Sequence, residues 1–202
     1  QTYDMTRLDS QGFFELHLPD VDSAFSYTLH SIYSSGERIW KDPYCLAPSV
    51  TNEALIPFNE GWDRRPFSKL GAIPRIHEGV EGVSFVIWAP SACSVHLVGD
   101  FNHWNPQSLP MRSLGSSGCR ELFVPFAKIG DKYKFRVLGA DGIVREKTDP
   151  FGWQFEPPMG NASIISSRKF AESNSSSHAF NPRAEPLSIY EMHLGSWKFH
   201  PD

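Results

Sequence analysis

The side chains of this chain best suited to chemistry are one carboxylate–imidazole pair, three thiols and a plentiful set of aromatic rings. Glu191 and His193 stand two apart in the strand-like run Leu187–Leu194 (LSIYEMHL), so they share one face and could act as an acid–base pair. The structural reading of the two, as polar contacts within a larger fold, outweighs the catalytic one. No residue of this chain is assigned a catalytic role. Cys45, Cys93 and Cys119 are too few and too irregularly spaced for a disulfide framework or a zinc site. They read as free thiols in a reducing cytoplasm, and neither a metal nor a cofactor is expected. Asn161-Ala162-Ser163 and Asn174-Ser175-Ser176 match the glycosylation sequon but read as ordinary loop.

The elements that must position any of these groups are strands. The run from Val83 to Trp104, VSFVIWAPSACSVHLVGDFNHW, holds two apolar, branched segments, Val83–Trp88 and Ser94–Val98, around an Ala89-Pro90-Ser91 turn. Gly99-Asp100 breaks the second segment and sets Phe101 to Trp104 at its end. Further strands are expected at 11–18, 25–33, from Arg38, and then at 119–124, 132–138, 143–146 and 162–166. Within 83–166 no span of eleven or more residues keeps a 3.6-residue apolar period, which predicts an all-β unit. Phe85, Val86, Ile87 and Trp88 read as its core.

Composition agrees with that class. The 202 residues are 40% hydrophobic, 21% charged and 13% aromatic, with 15 Gly and 16 Pro, which favours short strands and many turns. The net charge of −4 comes without a basic run and argues against nucleic acid or an anionic membrane surface as partner. No apolar stretch reaches the ~18 residues of a membrane span, and no signal peptide is visible.

The chain also repeats itself. Gly12, Glu15, Leu16 and Pro19 match Gly118, Glu121, Leu122 and Pro125, each 106 residues on. Phe25–Leu29 matches Tyr133–Val137 with a two-residue insertion. Gly36 matches Gly142, and Asp42-Pro43-Tyr44 matches Asp149-Pro150-Phe151. In the second copy an opening hairpin precedes the matched part, whereas in the first it would fall before residue 1. The expected organisation is therefore the second part of a first β-sandwich (1–46) and a connector (47–82), with short strands near Ala54–Ile56 and Lys69–Leu70. A second β-sandwich (83–166), a serine-rich linker (167–186) and the start of a further domain (187–202) follow. Trp62 and Phe67 are expected to pin the connector to a neighbouring domain, with a ligand role as the alternative reading. Truncation at both ends reads as an internal fragment of a longer protein.

GVSFVIWAPSACSVHLVGDFNHW, GDKYKF (130–135), Thr148-Asp149-Pro150 and IYEMHLGSW (189–197) together resemble glycogen branching enzymes, the 1,4-α-glucan branching enzymes of glycoside hydrolase family 13. WAP and GDFN-x-W mark the carbohydrate-binding module of family 48. The resemblance implies two immunoglobulin-like β-sandwich modules, the first truncated, followed at Leu187 by the first strand of a catalytic (β/α)₈ barrel. It implies an enzyme that cleaves an α-1,4 link and transfers the freed segment to a 6-hydroxyl, with the catalytic carboxylates on later strands outside this chain. The expected partners are α-glucan and the chain's own barrel, in the cytoplasm. Alternatives are a non-enzymatic glycogen- or starch-binding module and the amino-terminal part of a debranching or trehalose-forming hydrolase. The Gly195-Ser196-Trp197 ending and the double module favour a branching enzyme.

The resemblance also names a sugar site. Sugar rings stack C–H faces on aromatic rings while fixed polar groups take their hydroxyls. Relatives use the Trp of GDFN-x-W and the Lys of YKF, which here are Trp104 and Lys134. A second Trp that they carry on the following hairpin is missing from Asp141–Arg145. Two readings of Trp104 stay open, a glucan platform or a contact with the barrel or first module. Lys134 is expected to be a solvated lysine on the face opposite Tyr133 and Phe135.

Overall fold

The structure, a computed structural model, describes residues 1–23 and 25–167. Its strands in chain order are β1 (Thr6–Arg7), β2 (Phe14–Glu15), β3 (Thr28–Tyr33) and β4 (Gly36–Lys41). One helix, α1 (Asn52–Asn59), follows. Then come β5 (Gly71–His77), β6 (Val80–Trp88), β7 (Ala92–Gly99), β8 (Arg112–Ser113) and β9 (Cys119–Val124). The last are β10 (Lys132–Gly139), β11 (Val144–Lys147), β12 (Gln154–Phe155) and β13 (Ser163–Ile164). The run 189–197 and the expected linker lie outside the described residues.

Two antiparallel sheets carry the fold, one in the order β5-β6-β9-β8. In the other, β7 lines one edge of β10, while β11 and β13 share the opposite edge and β12 follows β13. Alternation decides the filling. Val83, Phe85 and Leu122 from the first sheet meet Val95, Leu97, Tyr133 and Phe135 from the second, and all are buried. The odd positions of β10 thus face the core while Lys134 and Arg136 face outward.

The first sheet is buried on its outer face too. Val86 and Cys119 pack there under Leu55 of α1, with Val50, Leu70 and Leu114 completing a second apolar cluster. The expected strand at Ala54–Ile56 is therefore a helix. Thr51 caps it, its hydroxyl accepting from Ala54 N at 3.3 Å, and Glu53 lies in the first turn. Eight residues are too short for an amphipathic period to register. Lys69–Leu70 form no strand either; a 3₁₀ turn (Pro66–Ser68) delivers Leu70 into the cluster.

β5 lies inside the stretch expected to be connector and pairs with β6 over seven residues, from Gly71↔Val86 to His77↔Val80. Pro74 disguises it in the sequence, and its edge position tolerates the missing donor. Trp88, expected in the core, ends β6 53% exposed, its ring edge-on to Phe58 at 6.0 Å.

The connector is held by polar contacts. Fully buried Glu121 on β9 accepts from Ser49 N (3.0 Å) and Ser49 Oγ (2.7 Å), and Arg112 Nε lies 2.9 Å from its other oxygen. Arg75 donates to Ser49 O (3.0 Å), Arg112 to Leu46 O (2.9 Å), and Ala47 N to Glu78 (3.1 Å). These contacts clasp residues 46–50 onto the sheet.

Residues 1–46 form only two short ladders, β1–β2 and the hairpin β3–β4. Of the expected strand 11–18 only Phe14–Glu15 pairs, and of 25–33 only Thr28–Tyr33. One local device nevertheless occurs twice. Tyr27 donates to Asp42 and Tyr133 to Asp149, both at 2.5 Å, and each Asp accepts from the backbone N–H two residues on, Tyr44 at 2.9 Å and Phe151 at 2.8 Å. This pairs Tyr27 with Tyr133, 106 residues apart, and corrects the insertion expected from matching Phe25 to Tyr133. The spacing of the glycines thus holds without a break as far as Gly36 and Gly142.

Candidate functional site

Trp104 follows the point where β7 runs out. Gly99 has to be glycine because a Cβ there would come within 2.4 Å of Lys132 O on the neighbouring strand. A 3₁₀ turn (Asp100–Asn102) follows, and the Asn102 side chain organises it. Its Oδ1 accepts from Gly99 N at 2.9 Å, and its Nδ2 reaches Leu97 O (3.0 Å), Asn105 O (3.1 Å) and Ser108 Oγ (2.9 Å). His103 and Trp104 then both adopt left-handed backbone, φ +53 and +57. Two consecutive non-glycine residues in that region are costly and persist only where neighbours over-determine them.

The Trp104 ring is fixed as well. Its Nε1 donates to Asp100 Oδ1 at 2.9 Å, and the other Asp100 oxygen accepts from Lys132 N at 2.9 Å. With 37% of the residue exposed, the indole is a held, half-open surface rather than core. Beside this network Lys132 pairs with Glu156 at 2.8 Å; that hydrogen bond raises the ammonium pKa and lowers the carboxyl.

Lys134 stands one outward position along β10 from Lys132, opposite Val98. It lies on the face expected of it, but it is not a plain solvated lysine. Its side chain is only 14% exposed and its Nζ sits 3.6 Å from Glu146 Oε2 on β11. The structure therefore links Trp104 to the strand that carries Lys134 through Asp100 and the Lys132 backbone. Sequence reasoning missed that scaffold, although Asp100 and Asn102 lie inside the motif.

The same outward face carries His96, opposite Arg136, with a buried Nδ1 that meets no partner among the described residues. The hairpin at Asp141–Arg145, where the resemblance implies a second Trp that is missing, holds an ion pair. Arg145 grips Asp141 with both guanidinium nitrogens (2.6 and 3.0 Å), and together with the Ile143 N–H this holds the Asp141 carboxyl at about 2. Chemically the arrangement offers one aromatic platform, two amines each engaged by a carboxylate, and neutral backbone edges. That set can hold a polyhydroxylated ring but has no nucleophile with an attendant base. Among the described residues no cluster of His, Cys, Asp or Glu is placed to hold a metal ion, and no helix is long and apolar enough to cross a membrane. The three cysteines are free.

Residues 69–152 match the family model of carbohydrate-binding module 48, the isoamylase N-terminal domain. Over 199 residues, 95% of its length, the chain is 39% identical to the 1,4-alpha-glucan branching enzyme GlgB of Pseudomonas putida, covering 26% of that protein. It is 40% identical over 205 residues to the GlgB of Frankia casuarinae, 97% of this chain and 25% of that one. The chain thus spans about a quarter of the curated relatives it matches. Among solved structures it is similar to a ligand-free pullulanase from Klebsiella pneumoniae, with 22% identity, 49% of this chain and 10% of that chain covered, and a TM-score of 0.41.

Proposed function

We propose that this chain, whose residues 69–152 are a carbohydrate-binding module of family 48, is the non-catalytic amino-terminal part of a cytoplasmic 1,4-α-glucan branching enzyme. The observation that carries the reading is identity of 39–40% over at least 95% of the chain to branching enzymes of which it covers only a quarter. The enzyme would cleave an α-1,4 link and pass the segment to a 6-hydroxyl. A retaining transfer of this kind needs two carboxyls ~5–5.5 Å apart, which the resemblance puts on barrel strands beyond this chain. Residues 187–202 are assigned to the start of that barrel and 167–186 to the linker before it. Residues 1–46 are assigned to the second part of a first module. The recurrence of the Tyr-to-Asp-Pro corner supports that assignment.

Within the module, Trp104 is assigned as the glucan platform, with Lys134 as an ancillary polar group. The rigid left-handed turn and the half-open indole support the first role; the Glu146 ion pair limits the second. Two experiments test the reading. A hybrid in which this chain replaces the corresponding quarter of the Pseudomonas putida enzyme should branch amylose, read as loss of iodine colour and new α-1,6 linkages. A hybrid that folds and binds glucan without branching sinks the assignment. Trp104→Ala in the 202-residue chain should weaken co-sedimentation with glycogen severalfold, and unchanged sedimentation removes Trp104 from the site.

A further inference from the structure

The connector builds a second aromatic surface, and there the two residues expected to pin it behave differently. Phe67 does pin it: its ring meets Trp153 edge-on at 6.2 Å, with the Arg65 guanidinium 5.7 Å from its centre. Among the described residues no ring stacks on Trp62. It is 61% exposed, more than any other tryptophan among the described residues.

That exposure is not looseness. Trp62 N and Asp63 N both donate to Pro57 O at 3.0 Å, and Gly61 (φ +78) makes the reversal that lets them reach it. The indole Nε1 donates to Glu60 at 2.7 Å. A large apolar ring anchored at backbone and side chain yet left in water forgoes the ~1.5–3 kcal/mol that burial of such a side chain yields.

Beside the ring opens a cleft of about 560 Å³, walled by Pro57, Trp62, Asp63, Arg64, Arg65 and Lys69. Its polar wall is pre-set. Lys69 donates to Asp63 at 2.6 Å and Arg65 N to the same carboxylate at 2.8 Å; the lysine bond, first, holds the carboxyl below its usual range.

We infer that the Trp62 cleft is a second α-glucan contact, distinct from the Trp104 end of the module. One glucose unit of a passing chain stacks its C–H face on the indole, and its hydroxyls meet the Arg64 and Arg65 guanidinium groups. Lys69 engages Asp63 and the indole engages Glu60, which leaves the Arg64 and Arg65 guanidinium groups to donate to sugar hydroxyls beside the ring. The openness of the cleft suits a polymer that enters from the side. The inference rests on the α-glucan reading above and extends it to a surface outside the 69–152 match apart from its last residue, Lys69.

The test is retention of the 202-residue chain in gels containing glycogen, with maltoheptaose as competitor, for wild type, Trp62→Ala, Trp62→Phe and Trp104→Ala. Trp62→Ala should weaken retention by up to about tenfold, the range of one aromatic stacking contact, while Trp62→Phe keeps most of it and circular dichroism stays that of wild type. Retention of Trp62→Ala equal to wild type, with Trp104→Ala weakened, overturns the second contact and leaves the module reading standing. Loss in Trp62→Phe as complete as in Trp62→Ala also overturns it, because a stacking role survives that exchange. Failure of the wild type itself to be retained sinks both.

Discussion

The same turn chemistry occurs twice in this chain, once sealed in a core and once in the open. Around Asp149 the Tyr133 hydroxyl and the carboxylate are buried, and Leu122 of the facing sheet lies in the same sealed core as Tyr133. Around Asp42 the hydrogen bonds are the same, yet Leu16, the match of Leu122, is 38% exposed, and Ile32 and Ile39 of the hairpin face solvent. The difference separates two kinds of stability. A tyrosine, a turn glycine and an Asp-Pro corner suffice to shape a hairpin and its exit, because every partner lies within about twenty residues. Sealing the apolar face requires a second sheet, and among the described residues only 71–167 have one. The first unit holds to the sandwich by lesser ties, such as Trp40 edge-on to Phe126 at 6.4 Å and Tyr44 donating to Pro110 O at 2.9 Å.

The comparison breaks or holds on matched substitutions. Leu122→Ala should cost about 3–5 kcal/mol in urea unfolding, as a core cavity does, while Leu16→Ala should stay within about 0.5 kcal/mol. Equal costs would show the two environments to be alike. Glu121→Ala should cost about 3 kcal/mol, because it strands Arg112 and frees the 46–50 clasp, whereas exposed Glu15, its match, should be almost neutral. A mild effect of Glu121→Ala would mean that apolar contacts alone seat the connector.

The smallest effect concerns the one hydroxyl that distinguishes the corners, Tyr44 against Phe151. Burial, and then the Asp42 charge, push Tyr44 up to about 12 from the usual 10. The folded state thus favours the protonated phenol. Its contribution is complete below pH 10 and is lost as the pH rises through about 12. Tyrosinate absorbance should show a late-titrating group that vanishes in Tyr44→Phe, and no change on that exchange would place the ring in open solvent.

Much of the sandwich was legible from residue type alone. The strands at 83–88, 94–98, 119–124 and 132–138 follow from branched and aromatic runs cut by turns. β5 was not legible, because Pro74 reads as a breaker unless one knows that the strand lies at an edge. α1 was missed because eight residues carry too little period, although Thr51 and Glu53 mark its start. At the site, Trp104 was found by its motif, but its fixation by Asp100 was not. Lys134 was placed on the right face but expected to be solvated, and the Glu146 that engages it comes from another strand. Trp62 and Phe67 looked alike as large apolar residues in a connector. Only the position of Trp153 separates them.

By itself the sequence determined the class of the fold, the long strands β6, β7, β9 and β10 of the sandwich, the 106-residue recurrence and the family resemblance. All of these rest on local pattern and near neighbours. Tertiary structure alone decided which apolar faces are covered, that a glutamate at the centre of a strand clasps the connector, and which tryptophan among the described residues is most exposed. Those outcomes depend on groups far apart in sequence meeting across a low-dielectric interior, where burial and pairing are set by the partner and not by the residue.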